Sequence, residues 1–149
     1  MSKQWQIRRG TTAENDIFTG AQGEVTMCTD TNELRVHDGV TPGGHIIDAV
    51  VDYQLPTAAN NYTWYRKYAS GWVEQGGLQT SATGSSGVTV TLPVTMSDTN
   101  YTVVATVTGD QDYFVGCLNK TVSSFLWRSF TGAQGYDRAG SWQVSGIAA

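Results

Sequence analysis

Tyr101-Thr102-Val103-Val104-Ala105-Thr106-Val107-Thr108 has a two-residue period. Its apolar positions Tyr101, Val103, Ala105 and Val107 fall on one side of an extended chain, and its threonines fall on the other. This period is typical of a strand with one buried face and one polar face. Val88-Thr89-Val90-Thr91-Leu92 repeats the pattern and ends at Pro93, which has no N–H to donate to a sheet. Both segments are therefore predicted to be half-buried antiparallel strands.

Further segments of the second half are rich in strand formers. They are Trp64-Tyr65-Arg66-Lys67-Tyr68, Trp72-Val73-Glu74-Gln75, Tyr113-Phe114-Val115-Gly116-Cys117-Leu118, Ser124-Phe125-Leu126-Trp127-Arg128-Ser129-Phe130 and Trp142-Gln143-Val144-Ser145-Gly146-Ile147. The first two flank Gly71, which suits a three-residue hairpin loop that needs a positive φ. Because no window has a helical period, residues 61–149 are predicted to form an antiparallel β-sandwich.

The first third of the chain holds shorter strand segments. Glu24-Val25-Thr26-Met27-Cys28-Thr29 and Leu34-Arg35-Val36-His37 are predicted to pair as a hairpin across residues 30–33. Residues 51–60 have neither period and contain a proline, so they are predicted to be a linker. A module of residues 1–50 buries little apolar surface by itself. We therefore expect it to need partners, which are predicted to be copies of itself.

Composition limits the classes of function. The 149 residues are 15% charged and include 17 glycines, and the net charge of −4 gives a pI near 4.9. This charge provides no electrostatic footprint for nucleic acid or anionic lipid.

No run of 18 apolar residues predicts a membrane span, and the N-terminus lacks the apolar core of a signal peptide, so we expect cytoplasmic synthesis. Cys28 and Cys117 are far apart and are predicted to be buried free thiols, with no metal site and no cofactor.

Several short sequence motifs in the N-terminal third resemble those of a phage protein family. They are Ile7-Arg8-Arg9-Gly10-Thr11-Thr12-Ala13-Glu14-Asn15, Phe18-Thr19-Gly20-Ala21, Glu24-Val25-Thr26, Asp30-Thr31, Val36-His37-Asp38-Gly39 and Gly43-Gly44. In this order and at this spacing, they are similar to the N-terminal domain of the major tropism determinant family of tail-fibre and tailspike proteins. The resemblance implies an intertwined trimeric β-prism in residues 1–50, which attaches the chain to other virion proteins.

The second half resembles the C-terminal tip domains of phage tail fibres. The resemblance rests on Asn61-Tyr62-Thr63-Trp64-Tyr65-Arg66, Ser70-Gly71-Trp72-Val73-Glu74-Gln75-Gly76-Gly77, Val90-Thr91-Leu92-Pro93 and Trp142-Gln143-Val144-Ser145-Gly146. It implies a trimeric β-sandwich that contacts the host surface. The overall expectation is an all-β homotrimer exposed on the phage particle.

The chain contains residues that could cleave a glycan or bind a metal. Glycan cleavage needs two carboxylates across a cleft, and Asp110, Asp112 and Asp137 are the candidates. They suit turns, and no nucleophilic set stands beside them, so no enzyme and no catalytic residue are predicted. Two histidines, His37 and His45, allow an axial metal in a trimer, but both are better explained as structural residues.

Glycan binding needs aromatic faces with polar neighbours. Tyr136, Asp137 and Arg138 lie in a predicted loop between Gly132 and Gly140, and Trp127 and Tyr113 provide further rings. These five residues are the predicted ligand-binding set. For Trp127 and Tyr113 the alternative is the sandwich core or a trimer interface.

The hairpin of Trp64 and Trp72 has two interpretations as well, a stacking platform or a packing face.

The sequence and its resemblances together predict a virion fibre or appendage protein that binds a host-surface receptor, a glycan, without cleaving it. The alternative is a purely structural virion protein, such as a head fibre, collar element or adaptor.

Overall fold

The computed structural model describes residues 7–80, 86–109, 112–131, 134–136 and 138–149, with the backbone alone for 134–136. The chain divides into two units, Met1–Ala49 and Val50–Ala149. Strands dominate both units, which confirms the all-β prediction. In the described part of the chain, no helix is long and apolar enough to cross a membrane.

The first unit contains one small sheet with the strand order β1-β2-β3-β4. Its strands are β1 Arg8–Gly10, β2 Val25–Cys28, β3 Leu34–Val36 and β4 His45–Ile46. The predicted hairpin is confirmed, because β2 and β3 pair antiparallel with Val25 opposite Val36. β1 joins the other side of β2 in parallel, with Arg9 opposite Met27.

A short helix, α1 Thr12–Asp16, separates β1 from β2, although the sequence predicts no helix. Thr11 and Glu14 explain it because they form a capping box. The Thr11 hydroxyl accepts a hydrogen bond from the Glu14 N–H at 3.3 Å, and the Glu14 carboxylate accepts one from the Thr11 N–H at 2.7 Å. Hydrogen bonds from the Thr11 N–H and from the Thr11 hydroxyl to the Glu14 carboxylate lower the pKa of Glu14. A five-residue helix is too short to show a period, so only its cap could predict it.

Buried polar groups hold the first unit together. The His37 ring accepts a hydrogen bond at Nδ1 from the Gly20 N–H at 3.1 Å, and its Nε2 lies 3.0 Å from the Thr26 hydroxyl. The buried Arg35 guanidinium donates to an Asp16 carboxylate oxygen at 2.6 Å and to the Gly43 carbonyl at 3.2 Å. Such a small unit therefore relies on satisfied polar groups as well as on apolar burial.

The second unit contains two sheets. One has the order β5-β6-β7-β13-β9, and the other has β10-β11-β12 with β8 also paired to β11. The strands are β5 Val50–Gln54, β6 Trp64–Tyr68, β7 Trp72–Gln79, β8 Val88–Thr91, β9 Thr102–Val107, β10 Phe114–Leu118, β11 Ser124–Thr131, β12 Gln134–Tyr136 and β13 Gly140–Ile147. Every strand predicted after residue 60 is present, and Gly71 has the expected positive φ of 84°.

One core receives side chains from both of these sheets. Val73 and Val144 come from the larger sheet, and Phe125 and Trp127 come from the smaller one. On β9 the predicted face is confirmed, since Tyr101, Val103, Ala105 and Val107 point towards this core. The fully buried Gln75 belongs to the same interior.

Three details differ from the sequence predictions. Residues 51–54 of the predicted linker belong to β5, which pairs with β6, and a 3-10 turn follows at Ala58–Asn60. The predicted loop between Gly132 and Gly140 contains β12, which pairs with β11. Cys28 is a buried free thiol as predicted, whereas Cys117 is only half-buried. Partial burial raises the pKa of the Cys117 thiol. β5 begins with two adjacent valines and does not alternate, and β12 has only three residues, so neither strand shows a two-residue period.

Candidate functional site

The structure brings two of the five predicted ligand-binding residues together. Tyr113 immediately precedes β10, and Arg138 lies between β12 and β13. The Arg138 Nη2 donates a hydrogen bond to the Tyr113 hydroxyl at 2.6 Å, and the guanidinium carbon lies 4.7 Å from the centre of the Tyr113 ring. The backbone N–H of Arg138 donates to the Ser129 hydroxyl at 3.2 Å, which fixes this pair beside β11.

Trp127 supports this pair but does not present its ring. Its side chain is 1% exposed and belongs to the core. The indole Nε1 donates a hydrogen bond to the Arg138 carbonyl at 3.3 Å. This burial agrees with the alternative that the sequence leaves open for Trp127, a place in the core, because the odd positions of β11 face the interior.

The remaining predicted residues are only partly visible. Tyr136 belongs to β12 and is opposite Ser129, but its side chain lies outside the description. Asp137 and the weighed candidate Asp110 lie outside the described residues, and Asp112 is exposed. The described part of the predicted site is therefore the Tyr113–Arg138 pair.

The Tyr113–Arg138 pair combines an aromatic ring with a planar cation. A phenol and a guanidinium side by side can hold sugar hydroxyls and a ring face. The Tyr113 ring is also packed against Gly109, where an added Cβ would lie 2.8 Å from Tyr113 Cδ2. Part of the aromatic surface is thus already used inside the unit.

A second feature is a groove on the outer face of the larger sheet, with a volume of about 490 Å³. Outward positions align across four strands there, since Trp64 is opposite Gly76, Gly76 opposite Gln143, and Gln143 opposite Val104. We call it the sheet groove. Its lining residues are Pro56, Tyr62, Trp64, Gly77, Leu78, Val104, Ala105, Thr106, Ser141, Trp142 and Gln143.

Among the residues of the sheet groove, the sequence indicates a possible ligand contact for Trp64 alone. Pro56 and Tyr62 lie on either side of the 3-10 turn, and the others come from β7, β9 and β13, which are distant in the chain. Only the strand register brings Ser141 opposite Thr106. The available signal was the outward alternation on each strand, which identifies a face but not its neighbours.

The two histidines form hydrogen bonds within the first unit. His37 is enclosed by its bonds to Gly20 and Thr26, and the His45 Nε2 lies 3.1 Å from an Asp38 carboxylate oxygen. Within the described ranges, no three His, Cys, Asp or Glu side chains are close enough to bind one ion.

Comparison with known proteins finds relatives of the first unit. Residues 6–41 match the family model of the major tropism determinant N-terminal domain. A 44-residue segment is 54% identical to the tail fiber receptor-binding protein of Bordetella phage BPP-1, and it spans 30% of this chain and 12% of that protein. The resemblance drawn from the words between Ile7 and Gly44 is thereby confirmed.

Two solved structures are similar to part of this chain. An N-truncated R2-type pyocin tail fibre has 16% identity and a TM-score of 0.48, with coverage of 66% of this chain and 39% of the fibre. The major tropism determinant P3c variant has 34% identity and a TM-score of 0.28, with coverage of 42% of this chain and 20% of that protein. In both cases most of the other protein lies outside the matched part.

Proposed function

We propose that this chain is a phage virion fibre or appendage protein that binds a host-surface glycan receptor without cleaving it. The observation that carries the proposal is the 54% identity of its N-terminal segment to a tail fiber receptor-binding protein. The N-terminal domain is proposed to join the chain to other virion proteins. The second unit is proposed to be the host-facing part, formed as a β-sandwich. The protein is made in the bacterial cytoplasm and assembled into the particle.

The proposal includes a homotrimer with an intertwined β-prism in its N-terminal part. Exposed apolar side chains on the first unit support this assembly. Ile17 is 81% exposed and Val40 is 80% exposed, and Ile46 and Ile47 are exposed as well. Burial of such side chains against copies of the chain is favourable, and a unit of 49 residues gains most from it. Light scattering of purified protein is expected to give three times the mass of the chain, and a monomer at micromolar concentration refutes the trimer.

The Tyr113–Arg138 pair is proposed to contact the receptor glycan. The purified protein is expected to bind host cells and to block adsorption of the phage. Arg138→Ala is expected to lose this block because it removes the cation that lies over the Tyr113 ring. Arg128→Ala is the matched control, since Arg128 lies on the outer face of β11 over Phe130, with 4.9 Å between guanidinium carbon and ring centre.

The outcomes of this experiment separate the parts of the proposal. Wild-type protein that does not bind host cells refutes the receptor-binding function. Equal blocking by the Arg138 and Arg128 variants, both folded, removes the Tyr113–Arg138 pair from the receptor contact. Release of reducing sugar from host polysaccharide refutes the claim that the glycan is not cleaved.

A purely structural virion protein is the second candidate. The Tyr113 ring packs closely against Gly109 and has the Arg138 guanidinium over it, which favours this candidate because the ring then acts inside the unit. This candidate predicts that labelled antibody finds the protein on the virion while the purified protein leaves phage adsorption unchanged.

A further inference from the structure

We propose that the sheet groove is a binding site for a neutral sugar unit. This inference rests on the proposed function for its natural ligand, a glycan of the host surface, but it concerns a different face from the Tyr113–Arg138 pair. It is carried by the shape of the groove, its aromatic wall, its polar floor and its lack of charge.

The aromatic wall is formed by Trp64 of β6. A Cβ added at Gly76 would lie 2.8 Å from Trp64 Nε1 and 2.9 Å from Cε2, so the indole lies directly over this glycine. Trp64 also borders a second cavity of about 270 Å³ that shares Pro56 with the sheet groove. The indole therefore separates two cavities and borders open space in each of them, which suits stacking against a sugar ring.

Tyr62 also lines the aromatic wall, and its backbone has a positive φ. Its φ is 54°, and the preceding Asn61 has the same φ. A bulky residue in the left-handed region is strained, and such strain is concentrated at functional sites. The Tyr62 N–H donates to the Thr57 carbonyl at 2.8 Å, which holds the ring at the groove, where it is 50% exposed.

The floor of the groove provides uncharged hydrogen-bonding groups. The Thr106 and Ser141 hydroxyls lie 2.8 Å apart, so one donates to the other and each keeps a lone pair for a ligand. The exposed Gln143 amide forms no hydrogen bond with another described residue, and it provides two donors and an acceptor. Hydroxyl and amide groups below an aromatic wall match the amphipathic faces of a sugar.

Charge and size limit the ligand further. Among the described residues that line the groove, none is Asp, Glu, Lys, Arg or His. An ionic ligand would lose solvation there without gaining a counter-charge, so neutral sugars are favoured over acidic ones. The volume of about 490 Å³ falls in the range of small-molecule sites and accommodates one or two sugar units.

The test uses the complete protein and an array of immobilised neutral oligosaccharides. The array contains glucose, galactose, rhamnose and N-acetylhexosamine units, with sialylated and uronic acid sugars for contrast. Wild-type protein is expected to bind neutral sugars and not acidic ones. Trp64→Ala is expected to weaken the binding about tenfold, and Trp64→Phe is expected to keep most of it.

Trp72→Ala is the matched control. Trp72 is an exposed tryptophan at the start of β7 that does not line the sheet groove. It is expected to leave sugar binding unchanged. Gln143→Leu is expected to weaken binding by a smaller factor, about fivefold, because it removes hydrogen bonds but keeps the wall. If Trp64→Ala fails to fold, Trp64→Phe and Gln143→Leu still test the site.

Several results overturn the inference. They are absence of neutral sugar binding by the wild-type protein, equal loss in the Trp64 and Trp72 variants, and a change of mass without a change of sugar affinity in Trp64→Ala. The last result would mean that another copy of the chain covers the groove. Host-cell binding without neutral sugar binding refutes only the groove, whereas sugar binding without host-cell binding refutes only the proposed function.

Discussion

Gln75 holds the segment after β8 to the larger sheet, and its replacement by leucine tests this role. The side chain is 0% exposed. Its Oε1 accepts a hydrogen bond from the Val94 N–H at 2.9 Å, and its Nε2 donates to the Val94 carbonyl at 2.9 Å. One side chain thus satisfies both backbone groups of a residue that belongs to no strand.

The magnitude follows from these two bonds. Loss of a partner costs about 1–3 kcal/mol for each polar group left buried, and the apolar leucine recovers about 1 kcal/mol. Because Val94 is half-buried, water reaches part of its backbone. We expect Gln75→Leu to lower the free energy of unfolding of the second unit by about 2–4 kcal/mol.

Tryptophan fluorescence during denaturation provides the assay, since four of the five tryptophans lie in the second unit. Protein concentration is kept fixed so that association does not alter the comparison. Gln143→Leu is the matched control because Gln143 is exposed on neighbouring β13, and its effect is expected to stay within about 0.5 kcal/mol. Equal unfolding free energies for the two variants, or a Val94 amide that exchanges rapidly in the wild-type protein, would refute the reasoning.

Three further predictions concern single positions. His37→Phe is expected to destabilise the first unit by about 2–4 kcal/mol, because it leaves the Gly20 N–H and the buried Thr26 hydroxyl without their ring partner. Hydrogen exchange at the Gly20 amide measures this loss, and His45→Phe is the control variant. Bonds from the Thr41 N–H and hydroxyl, the Val40 N–H and His45 lower the pKa of Asp38. This stabilisation is therefore complete above about pH 4 and is lost as the pH falls through the lowered pKa, so Asp38→Asn should flatten the acid unfolding curve of the first unit. Gly71→Ala is expected to cost about 1 kcal/mol because its φ of 84° is strained for alanine, and Gly71→Asn should cost less in the same fluorescence assay.

Much of the fold is predictable because its strands are long enough to show a period. β9 and β11 alternate for six and eight residues, and their inner faces form the core. β5 begins with two adjacent valines and does not alternate, β12 has three residues, and α1 has five. These elements depend on a register partner or a cap, which a two-residue or 3.6-residue period does not reveal. The capping box of Thr11 and Glu14 was the one local signal available for α1.

The candidate sites were predictable only where a single segment contains the chemistry. Arg138 was selected from its sequence neighbourhood, and the structure places it against Tyr113, 25 residues away. Trp127 was selected for its ring, but its position in β11 points the ring inward. The sheet groove needed the register of β6, β7, β13 and β9 at once, and no single segment contains that information.

Glycines beneath aromatic rings explain which of the candidate aromatics can contact a ligand. An added Cβ would lie 2.6 Å from Trp127 at Gly140, 2.8 Å from Tyr113 at Gly109 and 2.8 Å from Trp64 at Gly76. Some glycines are therefore required because an aromatic ring packs directly on them, and not because they form turns. The rings differ in what covers their other side. Trp127 is enclosed by the core, and Tyr113 has the Arg138 guanidinium over it, whereas Trp64 borders two cavities. Of these three aromatic side chains, Trp64 alone combines a fixed orientation with open space beside the ring, which is what the proposed sugar site in the sheet groove requires.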